Sequence, residues 1–185
     1  MQERIKRIAQ RGQEHLEIYN KPDKQKEPIM TDKALQDYYP DDYAHCYGCG
    51  RLNEGGLQLK SHWDGEESVC HFTPKSYHTG GFPESVYGGL IGSLIDCHAA
   101  ATAAAARLRE DGFSLGDQSL SRFVTASLKV DFLRPTPMGK VLELRGRVKE
   151  IKVRKAIVVI TLSAEGKVCA QGEAVMVQLP ESRAK

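Results

Sequence analysis

Hydrophobic and polar positions alternate along most of the second half of the chain, and alternation with a period of two is typical of β-strands with one buried face. Two shorter runs, Leu57–Lys60 and Val69–Phe72, alternate in the same way on either side of a turn-like Asp64-Gly65 pair, which predicts a hairpin. The later runs are Arg122–Leu133, Val141–Ile151, Lys155–Ala164 and Val168–Leu179. The pattern therefore predicts six strands.

An alanine-rich segment without proline separates the hairpin from the four later strands. Alanine has the highest helix propensity, and Leu90, Ile91, Leu94 and Ile95 share one helical face. The segment predicts one long buried helix from Gly88 to about Arg109, around which a sheet can wrap closely because alanine side chains are small. Two strands, one helix and four strands predict an α+β fold with an antiparallel sheet.

The first 45 residues differ in composition from the rest of the chain, with many charged residues, few strand-forming residues and prolines at Pro22 and Pro28. A chain of 185 residues is long enough for one domain and an extension, but a second full domain would be crowded. We therefore expect a helical arm and linker at residues 1–45, one domain at residues 46–180 and a short tail at residues 181–185.

Charge and cysteine content exclude several classes of protein. A formal net charge of +2 is too small for the basic field that nucleic-acid binding usually needs, and no apolar run reaches the roughly 18 residues that span a bilayer. The N-terminus lacks the pattern of a secretory signal, so we expect a cytoplasmic protein. Five cysteines, with Cys97 inside the apolar helical pattern, favour free thiols over a disulfide framework.

Asp96 is the candidate catalytic residue in the predicted helix. It follows Gly89 by seven residues, close to two helical turns, so it shares a face with the Gly88-Gly89 pair. A carboxylate in an apolar helix is costly unless it is paired or used in chemistry. A capping or salt-bridging role is the alternative, but the position deep inside the helix argues against a cap.

Two segments carry a resemblance to a known family. The run from Tyr87 to Asp96 and the strand from Lys129 to Pro135 resemble the acyl-CoA thioesterases of the hotdog superfamily, in particular the phenylacetic-acid-pathway type. The resemblance covers roughly residues 45–179. It implies a hotdog fold, in which an antiparallel sheet wraps one long central helix, and an acyl-CoA substrate without a further cofactor. It also implies self-association as at least a homodimer, with a tetramer or a hexamer left open.

The resemblance also implies roles for individual residues. A backbone N–H of Gly88 or Gly89, at the helix N-terminus, would stabilise the oxyanion that forms when a thioester carbonyl is attacked. Asp96 would act as general base or as nucleophile, and the sequence leaves both open. A strand hydroxyl would position water, with Thr125 as the first candidate and Ser127 and Ser121 as weaker ones.

The chain departs from the family pattern in two places. Tyr87 stands where the family usually has a histidine, and although its hydroxyl can form hydrogen bonds, the role of that histidine does not carry over directly. Several relatives also have an amide side chain shortly upstream that contacts the thioester oxygen. The matching stretch here is Gly80-Gly81-Phe82-Pro83, which has no amide side chain, so Ser85 or His78 would have to supply this contact. These departures keep open a noncatalytic acyl-CoA or lipid-binding protein, whereas a dehydratase-like enzyme is disfavoured because the expected active-site histidine is absent.

The histidines and basic residues are further candidates. His78 and His98 are more often packing or surface residues than catalytic bases, and His98 points about 200° away from Asp96 around an ideal helix. Coenzyme A carries phosphates, so a basic group is expected near its tunnel. Arg134 is the first candidate, followed by a basic turn containing Lys152, Arg154 and Lys155.

A Cys-x-x-Cys pair, Cys46 and Cys49, precedes the predicted hairpin. No second ligand pair with zinc-finger spacing follows. The nearby residues that could act as further metal ligands are His62, Cys70 and His71. We therefore predict no metal from the sequence. The segment from Cys46 to Gly50, together with Asn53 and Gly56-Leu57, resembles a segment that precedes the first strands in a subset of uncharacterised hotdog thioesterases.

Overall fold

The computed structural model describes residues 33–180, so residues 1–32 of the predicted arm and the predicted tail at 181–185 lie outside the described residues. Short 3-10 helices at Leu35–Tyr38, Asp41–Tyr43 and Ser76–His78 accompany the regular elements. These elements are β1 (Ser61–Asp64), β2 (Glu67–Phe72), helix α1 (Gly88–Glu110), β3 (Phe123–Phe132), β4 (Leu142–Lys152), β5 (Lys155–Ala164) and β6 (Lys167–Gln178).

The strands form one six-stranded sheet in the order β1-β2-β4-β5-β6-β3, and every neighbouring pair is antiparallel. The sheet packs around α1, which contacts all six strands. This architecture confirms the predicted α+β hotdog fold. Because β1 and β3 are the ends of the strand order, each has an edge without a strand partner among the described residues.

Helix α1 lies in the core because its side chains are small or apolar around most of its circumference. Leu94 and Ile95 are fully buried, and so are most of the alanines that follow them, whereas Ala106 is half-buried. On β6, a Cβ at Gly172 would lie 2.4 Å from Ile95 Cγ2, so the absence of a side chain lets the strand approach the helix. The helix is long and apolar enough to cross a membrane, but 67% of its most apolar window is buried inside the protein, which is typical of a core helix.

Helix α1 begins and ends close to the predicted positions. Tyr87 is its N-cap, and the Tyr87 carbonyl accepts hydrogen bonds from the Leu90 and Ile91 amides. After the helix, Gly112 takes the left-handed conformation with φ of 84°, which glycine adopts at no steric cost. The helix ends at Glu110, one residue beyond the predicted end at about Arg109.

The first strand was misplaced by the sequence pattern. Strand β1 covers Ser61–Asp64, whereas Leu57–Lys60 is not a strand. Gln58 has a left-handed φ of 50°, and the Leu57 and Leu59 amides donate to the carbonyls of Tyr47 and Gly48. These backbone groups are used by the preceding loop, so they cannot continue a sheet ladder. The predicted turn at Asp64-Gly65 is correct, since β1 ends at Asp64 and β2 begins at Glu67.

Residues 33–45, which the sequence assigned to the arm, pack against the sheet and helix. Leu35 and Tyr39 are buried in the common core. The Gln36 side chain donates to Ser61 Oγ at 3.0 Å and accepts from the Ser61 amide at 2.8 Å. Among residues 33–180, the first buried side chain is thus that of Ala34.

Candidate active site

Asp96 meets Thr125 where α1 passes beneath the edge strand β3. Asp96 is half-buried on the helix, and the Thr125 hydroxyl donates a hydrogen bond to Asp96 Oδ1. The Thr125 hydroxyl also lies 3.6 Å from the Met176 sulfur on β6. A helix carboxylate and a strand hydroxyl that are 29 residues apart in sequence therefore form one polar pair at the edge of the sheet.

A β-bulge sets the position of the Thr125 side chain. Thr125 pairs with Met176 and Ser127 pairs with Val175, so Ala126 is an extra residue in β3. Bulges bend a strand and redirect its side chains, and they are common beside active sites. Of the three hydroxyl residues proposed from the sequence, Thr125 is the one that bonds Asp96, whereas Ser127 follows the bulge and Ser121 precedes the strand.

The N-terminus of α1 presents the glycine pair between two exposed aromatic rings. A Cβ on Gly89 would lie 2.4 Å from Tyr87 Cε1, and a Cβ on Gly88 would lie 3.5 Å from Phe132 Cζ. The first N–H groups of a helix have no intrahelical acceptor, and the Tyr87 side chain does not cap them. The helix N-terminus therefore has backbone donors for an oxyanion.

A groove of about 380 Å³ extends from the helix N-terminus along the end of β3. Gly88, Ile91 and Phe132 line one part of it, and Arg134 and Thr136 line another. The Thr136 hydroxyl is buried and has no hydrogen-bond partner among the described residues, so it remains available to a polar group. The Arg134 side chain is exposed.

The structure does not bring the predicted coenzyme A residues together within one chain. Arg134 follows the C-terminal end of β3, where its amide donates to the Cys169 carbonyl at 3.2 Å. Arg154 lies at the other end, where its guanidinium donates to the Gln178 carbonyl, and Gln178 pairs with the first residue of β3. Lys152 forms an ion pair with Glu150, and Lys155 begins β5 beside it.

His98 is a packing residue, as the sequence indicated. It is fully buried, with Nδ1 2.8 Å from Ser61 Oγ and Nε2 3.1 Å from Ser68 Oγ. Burial lowers the pKa of His98 to about 4, because desolvation disfavours the charged imidazolium. Two hydroxyl partners and a low pKa keep the ring neutral inside the core.

His78 lies close to the helix N-terminus, but its ring is occupied by local contacts. Its Nδ1 accepts the Lys75 amide at 3.1 Å, and its ring stacks on Phe72 with centroids 5.7 Å apart. Burial lowers the pKa of His78, with a smaller effect from the charge of Lys75. The His78 carbonyl accepts the Tyr87 amide, so the backbone of His78 anchors the start of α1. Ser85, the other residue proposed to replace the amide, is half-buried in the wall of the groove.

A cluster of three thiols is the feature that sequence reasoning missed. The sulfurs of Cys46, Cys49 and Cys97 lie within 4.8 Å of one another. Cys97 is 51 residues from Cys46 and sits in an apolar helical pattern, so neither spacing nor composition pointed to it. The cluster contains none of the further ligands considered from the sequence, His62, Cys70 and His71. His71 instead lies with its Nε2 3.4 Å from a Glu143 carboxylate oxygen.

Residues 84–170 match the sequence profile of the thioesterase superfamily, and this segment contains α1, β3 and the groove. A solved thioesterase superfamily protein from Shewanella loihica PV-4 is 46% identical, with a TM-score of 0.58. The alignment covers 76% of this chain and 98% of that one. No curated protein matches the sequence.

Two further solved structures share the fold at lower identity. The PaaI protein from the phenylacetic acid degradation operon of E. coli is 21% identical, with 67% of this chain and 81% of that chain covered and a TM-score of 0.54. A point mutant of phenylacetic acid degradation protein PaaI from Thermus thermophilus is 23% identical, with 66% and 95% covered and a TM-score of 0.53. At these identities the likeness shows the fold alone.

Proposed function

The chain belongs to the thioesterase superfamily, and we propose that within it this protein hydrolyses acyl-CoA thioesters to the free acid and coenzyme A. The observation that carries the proposal is the hydrogen bond from Thr125 to Asp96 at the open edge of the sheet. It leaves Asp96 Oδ2 to accept a proton or to attack. A half-buried carboxylate that is held by one hydroxyl is suited to hydrolysis.

Thioester hydrolysis also requires stabilisation of an oxyanion, and the helix N-terminus supplies donors for it. Attack on the carbonyl carbon places negative charge on the carbonyl oxygen, which a fixed N–H donor and the helix dipole stabilise. Gly88 or Gly89 is the proposed donor, because each lies in the first turn of α1. Tyr87, whose ring lies against Gly89, borders the same position and can direct a hydrogen bond from its hydroxyl to the substrate.

Asp96 has two possible roles with the same products. As general base it takes a proton from water, and the resulting hydroxide adds to the carbonyl carbon before the carbon–sulfur bond breaks. As nucleophile it adds directly and forms an anhydride, which water then cleaves. In both routes the coenzyme A thiolate leaves and is protonated. Thr125 orients the carboxylate in either route.

A second copy of the chain completes the proposed site. Strand β3 is an edge strand, and it exposes Val124, Leu128 and Phe132, with Leu133 directly after it. A long apolar edge exposes unpaired backbone groups and favours pairing with another strand. We propose self-association through β3, as a dimer or a larger assembly, because this covers the open side of Asp96 and Thr125.

The groove at the helix N-terminus is the proposed entry for the substrate. Its lining is largely apolar, which suits a pantetheine arm, and it leads toward the glycine pair. Arg134 at its margin can pair with a coenzyme A phosphate. The basic turn at residues 152–155 is proposed to contribute only through another subunit, since it lies at the opposite end of β3.

Release of free thiol from short-chain, medium-chain and aryl acyl-CoAs tests the proposal, with wild-type protein compared with Asp96→Asn. The matched control is Asp42→Asn, which neutralises an exposed carboxylate outside β3 and outside the groove. We expect turnover by the wild type and the control, and a loss of orders of magnitude in Asp96→Asn. Binding of acyl-CoA without turnover by all three proteins would instead support a noncatalytic acyl-CoA-binding protein.

A further inference from the structure

The cysteine cluster joins a loop to the central helix. Cys46 directly precedes a turn at residues 47–49, and Cys49 is the last residue of that turn, whereas Cys97 comes from the third turn of α1. The Cys46 and Cys97 sulfurs are 3.7 Å apart, and all three sulfurs lie within 4.8 Å of one another. A tetrahedral zinc ion with Zn–S bonds of about 2.3 Å places its sulfur ligands roughly 3.8 Å apart. The observed spacing suits a shared ion.

The loop backbone is shaped for close approach to Cys97. A Cβ at Gly48 would lie 2.3 Å from the Cys97 sulfur, so a side chain there would fill the space between loop and helix. The Gly50 amide donates to the Cys46 carbonyl at 2.8 Å and closes the turn. The turn therefore brings the Cys46 and Cys49 sulfurs close to the Cys97 sulfur, as shared ligation of one ion requires.

Tyr39 gives independent support for a ligand at this position. Its side chain is 4% exposed, and its hydroxyl has no hydrogen-bond partner among the described residues. Tyr39 packs in the same core cluster as Cys49 and Cys97. Buried hydroxyls are nearly always paired, so this hydroxyl can bond a polar group in that part of the core.

A nearby cation balances the charge of an occupied site. Three thiolates and one Zn²⁺ carry a net charge of −1. The Arg122 guanidinium lies 5.8 Å from the centroid of the Tyr39 ring, and Tyr39 packs in the same core cluster as Cys49 and Cys97. A buried anionic centre is less costly when a positive charge lies close to it.

We propose that Cys46, Cys49 and Cys97 bind a zinc ion that fastens the loop at residues 44–59 to helix α1. The fourth coordination position takes a water molecule, for which the Tyr39 hydroxyl is the hydrogen-bond partner. Three sulfur ligands select a soft or borderline metal over Mg²⁺ or Ca²⁺. The ion is structural, because Cys97 adjoins Asp96 in sequence but faces the loop, whereas Asp96 faces Thr125.

Metal content of the full-length protein tests the proposal. The protein is produced with zinc in the medium, purified without chelators or a histidine tag, and analysed by elemental mass spectrometry. We expect about one zinc per chain in the wild type and at least a tenfold loss in Cys46→Ser and Cys97→Ser. Cys70→Ser is the matched control, since Cys70 is a buried cysteine outside the cluster, and it should keep its zinc.

Cobalt substitution and thiol labelling keep the test independent of whether a variant folds. In wild-type protein, Co²⁺ should give sulfur-to-cobalt charge-transfer absorption, and zinc should protect Cys46 and Cys49 from alkylation. The proposal is overturned if folded, reduced wild-type protein binds neither metal. It is also overturned if Cys46→Ser retains full zinc content, or if a disulfide within the cluster is the form isolated from cells. None of these readouts depends on thioester hydrolysis.

Discussion

Asp96 and His98 are two polar residues separated by one position in the same helix, yet their surroundings are opposites. His98 is fully buried and both ring nitrogens have hydroxyl partners, from Ser61 on β1 and Ser68 on β2. Asp96 is half-buried at the open edge, where Thr125 is its hydrogen-bond partner among the described residues. A polar group with every bonding site used stabilises the fold, whereas one with spare capacity at an accessible edge is available for chemistry.

The neighbourhood of His98 shows how complete this pairing is. Ser68 Oγ contacts both His98 and the Thr102 hydroxyl, and Thr102 donates to the His98 carbonyl at 2.7 Å. Ser61 Oγ also accepts from the Gln36 side chain. The network joins α1 to β1, to β2 and to the segment before β1, so it stabilises the packing of these elements.

The largest expected effect on stability is therefore at His98. His98→Ala removes a buried ring and takes one hydrogen-bond partner from each of the Ser61 and Ser68 hydroxyls, so we expect the free energy of unfolding to fall by about 3–5 kcal/mol. Urea denaturation measures this loss. His71→Ala, at an exposed histidine on β2, is the matched control and should cost less than about 0.5 kcal/mol. An equally small cost at His98 would contradict the comparison.

The low pKa of His98 predicts a pH dependence of stability. The unfolded chain binds a proton near pH 6.5, but the folded state does so only near pH 4, so the unfolded state binds more protons in between. Stability from this group is complete above about pH 6.5 and is lost as the pH falls toward 4. We expect a loss of about 2 kcal/mol between pH 7 and pH 5. Urea denaturation at both pH values should show this loss in the wild type and less of it in His98→Gln.

At the open side of the helix, Thr125→Val should change catalysis with little change in stability. The substitution keeps the size of the side chain but removes the hydroxyl that holds Asp96. A hydrogen bond to a charged group contributes about 1.5 kcal/mol or more, so kcat should fall roughly tenfold. Steady-state thiol release measures it, with Ser127→Ala on the same strand as the control. Equal kcat values for Thr125→Val and the wild type would remove Thr125 from the site.

The helix and the later strands were predictable because local signals agreed with the tertiary fold. The alanine-rich segment has high helix propensity, and β3 to β6 follow alternating runs within a few residues. Leu57–Lys60 also alternates, but its backbone hydrogen bonds to the Cys46–Gly50 loop decide its conformation. Alternation alone cannot reveal such a competing partner.

The candidate site was predictable only in part, because sequence patterns reveal types of residue more readily than distant contacts. Asp96 stood out as a carboxylate in an apolar helix, and Thr125 was placed beside it by the resemblance. The bulge at Ala126 that positions Thr125 has no clear signal in the sequence. The approach of Cys97 to Cys46 depends on how the loop folds onto α1, which spacing along the chain does not encode.

The most direct test of the distinction between Asp96 and His98 measures kcat and the free energy of unfolding on the same preparation of Asp96→Asn. The substitution preserves shape and removes the charge. We predict that kcat falls by about 10²–10⁴-fold, while the free energy of unfolding stays within about 0.5 kcal/mol of the wild-type value. Loss of several kcal/mol of stability, or retention of wild-type turnover, would show that Asp96 supports the fold as His98 does and would contradict its assignment as the catalytic carboxylate.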